Sequence, residues 1–216
     1  MKNQPAYYSG RALVLSAVLM TVTMIMHPAG GTFEHLQHIA AMIIITHSLA
    51  ILSVPIALFG FWGLTKKLSV DDPLSVGAFI TVCIGMFAVL MAAAFNGLAL
   101  PLFIEQFHDP SAGIRNSLTL LLSYNNALNH SFDYIFIAGI VIAVTLWSVV
   151  IIKTKAFPVW VGYFGIFTCV MVVIGMTAGF IFVNLTGFRV FTAGLVVWMI
   201  IIGIMLKKQV PAVPEI

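Results

Sequence analysis

The sequence predicts an all-α integral membrane protein, a single domain built as a bundle of six transmembrane helices, and three observations predict it. Of the 216 residues, 61% are hydrophobic and 8% are charged, which is too little charge for a soluble domain of this size. The mean hydropathy is +1.10. Apolar runs of about 20 residues are separated by short polar turns, a pattern typical of spanning helices rather than of membrane barrel strands.

Six apolar runs are long enough to span a bilayer. We expect them at residues 12–26, 39–64, 76–100, 132–152, 157–183 and 190–206. The first run follows Lys2 and Arg11, and we interpret it as a retained helix rather than as a secretion signal. The longest connection is 101–125, for which two alternatives stay open. It forms a short extracytoplasmic interfacial helix over the mouth of the bundle, or it extends the fourth span.

The basic residues predict the orientation of the bundle. With six spans, one side of the membrane receives most of them: Lys2, Arg11, Lys66, Lys67, Lys153, Lys155, Lys207 and Lys208. Only Arg115 and Arg189 fall on the other side, so the positive-inside rule places both termini in the cytoplasm of a plasma or inner membrane. Trp62, Trp147, Trp160 and Trp198 lie near the cytoplasmic ends, as an interfacial belt would. The sequence has no basic patch with interleaved aromatic residues, so nucleic acid is not expected as a partner.

A polar stretch, residues 123–134, leads directly into the fourth apolar run. Four of its residues follow one another at helical spacings of three or four and therefore share one helix face: Ser123, Asn126, His130 and Asp133. Amide, imidazole and carboxylate groups in or near lipid are costly unless they have partners, water, an ion or a ligand. This stretch is the first candidate for a functional site.

Other spans place polar residues at a similar height. Counting 1.5 Å of rise per residue from the cytoplasmic ends, His27, His47 and Asn96 fall at roughly 24, 25 and 30 Å, and Asp133 at roughly 28 Å. Four helices therefore contribute to one layer in the outer third of the bundle. The sequence predicts an outward-facing polar pocket there.

The first hypothesis for this pocket is a site for a divalent transition metal, most readily zinc. Histidine and carboxylate ligands suit such ions, and amides orient the ligands. The predicted ligands are His27, His47, His130 and Asp133, with Ser123, Asn96, Asn126 and Asn129 around them. A metal-activated water would give a hydrolase acting on a lipid-like or amphipathic substrate, with His130 and Asp133 as catalytic residues.

Three alternatives remain. His47 and His130 on facing helices are suitable axial ligands for haem b in a redox protein. The second alternative is a non-enzymatic pocket that binds or transports a small solute or lipid, with membrane lipid as a partner. The third is that the histidines have only a structural role. For His35, His38 and His108, a structural role in contact with water is favoured.

Cys83 and Cys169 are expected to be free thiols. Glycines in the last two spans predict close packing of helices, in the chain or in a homo-oligomer.

Overall fold

In the computed structural model, which describes residues 4–208, the chain folds into eight α-helices and one π-helical segment. The helices are α1 (Gln4–Met26), α2 (Phe33–His38), α3 (Ala40–Leu68), α4 (Pro73–Ala92), α5 (Leu100–Ile104), α6 (Ala112–Thr154), α7 (Val159–Thr177) and α8 (Leu185–Lys208), and the π-helical segment, Ala93–Ala99, joins α4 to α5. Within the described range, six stretches are long and apolar enough to cross a membrane. The predicted all-α six-span membrane bundle is therefore confirmed.

The six spanning helices form a closed ring. Each packs on two neighbours, in the order α1, α3, α4, α6, α7, α8 and back to α1. One end of the ring, here called the lysine end, carries Arg11, Lys66, Lys67, Lys153, Lys155, Lys207 and Lys208. The opposite end, here called the pocket end, carries the α1–α2 connection, α2, α5 and the first half of α6. Lys2, which the sequence assigns to the lysine end, lies outside the described residues.

Differences from the predicted boundaries include the start of the fourth span and the end of the fifth. The fourth span begins at Ala112, so α6 has 43 residues and is about 64 Å long, which selects the extended fourth span over a separate helix across the mouth. The second span, α3, begins at Ala40, one residue from its predicted start, and the backbone at Ile39, with φ and ψ of −102° and 11°, separates it from α2. The fifth span stops at Thr177, and Gly179 adopts a positive φ of 86° in the turn that follows.

Local sequence explains several helix starts. Thr32 is the N-cap of α2, because its side chain accepts a hydrogen bond from the His35 backbone N–H. The Asp72 carboxylate accepts hydrogen bonds from the Leu74 and Ser75 N–H groups, and Pro73 occupies the first helical position of α4. These caps pair donors that helix starts leave without partners.

The tightly packed core lies toward the lysine end. Trp147 is stacked between Phe61 and Trp198, with ring centroids 5.2 and 6.2 Å apart. Both Trp147 and Trp198 are almost fully buried, whereas Trp62 and Trp160 are partly exposed. The prediction of an interfacial belt is therefore wrong for Trp147 and Trp198, because their positions on α6 and α8 face the interior of the ring.

Glycines allow backbones to approach closely inside this half. A Cβ on Gly139 of α6 would come within 2.9 Å of the Gly85 Cα in α4, and a Cβ on Gly203 of α8 would come within 2.8 Å of the Gly10 carbonyl oxygen in α1. These contacts are made within one chain, as small residues allow in membrane bundles. Assembly into a homo-oligomer stays a prediction. Cys83 and Cys169 are both free, as expected.

Candidate functional site

A cavity of about 820 Å³ opens at the pocket end between α6 and the elements opposite it. Its wall includes residues from the end of α1, the α1–α2 connection, α2, α3, α4, the π-helical segment, α6 and the start of α8. A small apolar cluster, consisting of Phe33, Leu100, Ile104 and Leu118, holds α2, α5 and α6 together beside it. The cavity is therefore enclosed by protein contributed from both sides of the ring.

One face of α6 supplies the longest wall. Its residues recur at intervals of three or four from Arg115 to Asp133, so the wall extends for roughly 27 Å along the helix axis. The polar members of this stripe are Arg115, Thr119, Ser123, Asn125, Asn126, Asn129, His130 and Asp133. This cavity is thus lined by all four residues that the sequence predicted to share one helix face: Ser123, Asn126, His130 and Asp133.

Amide hydrogen bonds organise the stripe. The Asn129 Nδ2 donates to Asp133 Oδ2 at 3.0 Å, one helical turn away. The Asn125 Nδ2 donates to the Asn96 Oδ1 at 2.8 Å and joins α6 to the π-helical segment. Sequence reasoning did not single out Asn125, although its neighbour Asn126 and the predicted height of Asn96 were the available signals.

His27 and His47 meet on the opposite wall. Their ring centroids are 5.0 Å apart and the ring planes are inclined by 61°. His47 is buried on α3, whereas His27 is half-buried just after the end of α1. The close packing of α1 on α3 brings the two imidazoles together, which depth counting along each helix cannot predict because it leaves rotation undefined.

Hydrogen bonds fix which nitrogen of each ring carries the proton. His27 Nδ1 is 3.0 Å from the Pro28 carbonyl oxygen, and His47 Nδ1 is 2.8 Å from the Ile43 carbonyl oxygen. Because a carbonyl oxygen only accepts, Nδ1 donates in both rings. In the neutral rings both Nε2 atoms therefore keep a free lone pair, the arrangement found in metal-binding histidines.

Arg189 of α8 holds the turn that carries His27. Its guanidinium donates to the Met24 and His27 carbonyl oxygens at 3.0 and 3.2 Å, so a cation caps the carboxyl end of α1. Burial lowers the pKa of His27, and the positive charge of Arg189 acts in the same direction. The neutral imidazole is thus favoured at pH 7.

Three contacts near the far end of the cavity join α2 to its neighbours. Arg115 on α6 forms an ion pair with Glu34 on α2, and Gln37 donates to the Ile104 and Phe107 carbonyl oxygens at 2.9 Å. Hydrogen bonds from its own backbone N–H and from Thr32, together with Arg115, lower the pKa of Glu34. Both side chains of the ion pair are about half exposed. It is therefore a surface contact between α2 and α6 at the rim of the cavity, called the strap below, and not a buried one.

Gly97 in the π-helical segment lies directly against His47. A Cβ at this position would overlap the Cβ and Cγ of the imidazole side chain. The same turn presents Asn96 to the cavity and to Asn125. Because π-helical turns concentrate at functional sites, this segment is a further reason to place the site here.

The structure brings all the sequence-predicted site residues to this one cavity: His27, His47, Asn96, Ser123, Asn126, Asn129, His130 and Asp133. His35, His38 and His108 are exposed and lie outside its wall. Across residues 4–208, however, no three His, Cys, Asp or Glu side chains are grouped closely enough to hold a metal ion. The described arrangement pairs His27 with His47 and leaves His130 and Asp133 on the wall formed by α6.

Comparison of the chain with models of known protein families, with curated proteins and with solved structures found no match.

Proposed function

We propose that this membrane protein binds a small amphipathic molecule in the cavity at its pocket end. The observation that carries the proposal is the cavity itself, because about 820 Å³ falls within the roughly 300–1,000 Å³ of small-molecule sites. Its wall combines a polar stripe with apolar side chains such as Val89, Leu122 and Phe188. A ligand with a polar head and an apolar body matches both surfaces.

Polar groups without protein partners further support a ligand. Within the described residues, the side chains of Asn126 and His130 make no hydrogen bond to the protein, and both lie on the cavity wall. Asn126 is exposed and His130 is half-buried, so both side chains are available for hydrogen bonds to a ligand that enters the cavity.

The proposed ligand reaches the site from outside the cytoplasm. Seven basic residues mark the lysine end, whereas the pocket end has Arg115 and Arg189, both engaged in contacts. The positive-inside rule then assigns the lysine end to the cytoplasm.

To test this orientation, Lys66→Cys and Glu105→Cys are each introduced into a Cys83→Ala/Cys169→Ala background and labelled on intact cells with an impermeant maleimide. Labelling of Glu105→Cys alone is expected. Labelling of Lys66→Cys alone would show that the bundle has the opposite orientation.

The binding proposal is tested with a neutral probe, a C12 alcohol carrying a nitrobenzoxadiazole fluorophore. Purified protein in zwitterionic lipid nanodiscs is expected to bind one probe per chain saturably, with empty nanodiscs as the blank. Ala92→Phe narrows the cavity and is expected to abolish saturable binding. Ala138→Phe, on an exposed face of α6, is the matched control and should leave it intact. Equal binding by the two variants would refute the proposal.

A second candidate is a metal site, and the His27–His47 pair is the observation that favours it. Both Nε2 atoms are unprotonated in the neutral rings and the rings are adjacent. Two imidazoles leave further coordination positions for water or ligand, as catalytic zinc sites do. Hydrolysis by His130 and Asp133, and haem b on His47 and His130, stay predictions.

Elemental analysis after zinc loading and desalting tests the metal candidate. The unaltered chain and His35→Ala are expected to retain stoichiometric zinc, and His27→Ala and His47→Ala to lose it. His35 is the control because it is exposed and outside the cavity. Retention of zinc by His47→Ala, or none in the unaltered chain, would exclude this site.

A further inference from the structure

We infer that the ligand of the cavity carries a positive charge, an amine head on an apolar body, with Asp133 as its counter-charge. The inference rests on the proposed function, since it names the class of molecule that the cavity takes. It depends on the charges that face the cavity and on the hydrogen-bonding character of its wall.

Asp133 is a carboxylate without a basic partner in the part of the chain that the structure describes. It lies half-buried on α6 and receives one hydrogen bond, from Asn129. The single ion pair among residues 4–208 joins Arg115 to Glu34. No Lys, Arg or His nitrogen of these residues therefore lies within 4.0 Å of an Asp133 carboxylate oxygen. A carboxylate near the lipid boundary normally has a cationic or hydrogen-bonding environment that compensates its desolvation.

The basic side chains near the cavity are already engaged. Arg115 is paired with Glu34 at the rim, and Arg189 donates to backbone carbonyls at the end of α1. The remaining titratable groups on the wall are His27, His47 and His130. The first two already donate their Nδ1 hydrogens to carbonyl oxygens.

Asp133 carries the charge on the cavity wall that has no counter-charge, and acceptors are free on both sides of the cavity. The Asp133 oxygens accept on the α6 side, and in the neutral rings the Nε2 atoms of His27 and His47 accept on the opposite side. Asn129 uses one of its two side-chain donors on Asp133, and Asn126 and His130 offer both donors and acceptors. An ammonium group has up to three donors and no acceptor, so it complements the Asp133 oxygens, whereas an anionic head would meet a like charge.

The apolar body of the ligand has a surface to cover. Phe188 lines the cavity and belongs to a ring cluster with Phe136 and Phe191, whose centroids lie 5.7 to 6.3 Å apart. Leu36, Leu100 and Leu122 line it toward the strap between α2 and α6. An amine head beside Asp133 therefore leaves an elongated, mostly apolar path for the rest of the molecule.

The test is competition against the neutral probe at pH 7 in zwitterionic nanodiscs, with dodecylamine, dodecanol and dodecanoate as competitors. Their chains are equal in length, so differences report the head group, and partitioning into empty nanodiscs is subtracted. Dodecylamine is expected to compete about tenfold better than dodecanol, because a hydrogen bond to a charged group contributes roughly that factor. Dodecanoate is expected to be the weakest of the three.

Asp133→Asn removes the charge but keeps the shape, and it is expected to abolish the tenfold preference for dodecylamine over dodecanol, whatever its own affinity for the neutral probe. Asp71→Asn, at an exposed site near the lysine end, is the matched control and should keep the tenfold preference. Equal competition by amine and alcohol on the unaltered chain, or a preserved preference in a folded Asp133→Asn, would overturn the inference and leave the proposed function standing. Failure of the probe and of all three competitors to bind would overturn both, and the competitor series decides even if Asp133→Asn does not fold.

Discussion

The two halves of α6 differ although they belong to one continuous helix. The half toward the lysine end contributes ten buried residues, from Phe136 to Ile151, whereas the half toward the pocket end contributes Leu118 alone. The first surrounds the stacked Trp147 and Trp198, and the second carries the polar stripe of the cavity. The difference teaches that the packed core and the proposed binding site are separated along this helix, so substitutions in the two halves should have different consequences.

Trp147→Ala should give the largest effect on stability. Removing a fully buried indole from between Phe61 and Trp198 is expected to cost about 3–5 kcal/mol, measured by denaturant titration in detergent. The fraction that remains folded should still bind the neutral probe. Trp160→Ala is the control, because that ring is 52% exposed, and an equal loss in both variants would contradict the separation.

Gly97→Ala should have an intermediate effect on stability and a strong effect on binding. The new methyl group would displace His47 from its place against the π-helical segment, at an expected cost of about 1–3 kcal/mol. Probe affinity and zinc retention are both expected to fall. Gly113→Ala serves as the matched change, since a Cβ there meets no atom within 4 Å. Unchanged binding in Gly97→Ala would show that His47 does not need its present position.

Glu34→Gln should have the smallest effect on stability. The ion pair with Arg115 is about half exposed on both sides, so solvent screens it and its loss is expected to leave the free energy of unfolding nearly unchanged. Release of the neutral probe, followed by stopped-flow fluorescence, should become faster because the strap at the rim is weakened. A release rate equal to that of the unaltered chain would show that this strap does not limit exit.

Much of the fold could be predicted from the sequence, because each span is specified by local hydropathy. The stripe on α6 was also predictable, since Ser123, Asn126, His130 and Asp133 are related by helix geometry alone. The contact between His27 and His47 was not, because it depends on how α1 and α3 are rotated against each other. The burial of Trp147 and Trp198 was missed for the same reason, since an indole near the end of a span suits a lipid interface and a helix interface equally well.

The π-helical segment has a consequence for how one membrane-spanning stretch serves two neighbours. A π-turn accommodates one residue more than an α-turn, so the helix beyond it is rotated in phase by roughly 100° relative to an uninterrupted α-helix. Before this turn, α4 packs mainly on α6, whereas Ala93–Ala99 packs mainly on α3 and presents Asn96 to the cavity. The backbone stays helical throughout, as a lipid environment demands. The chain thus changes its packing partner within one span without a loop.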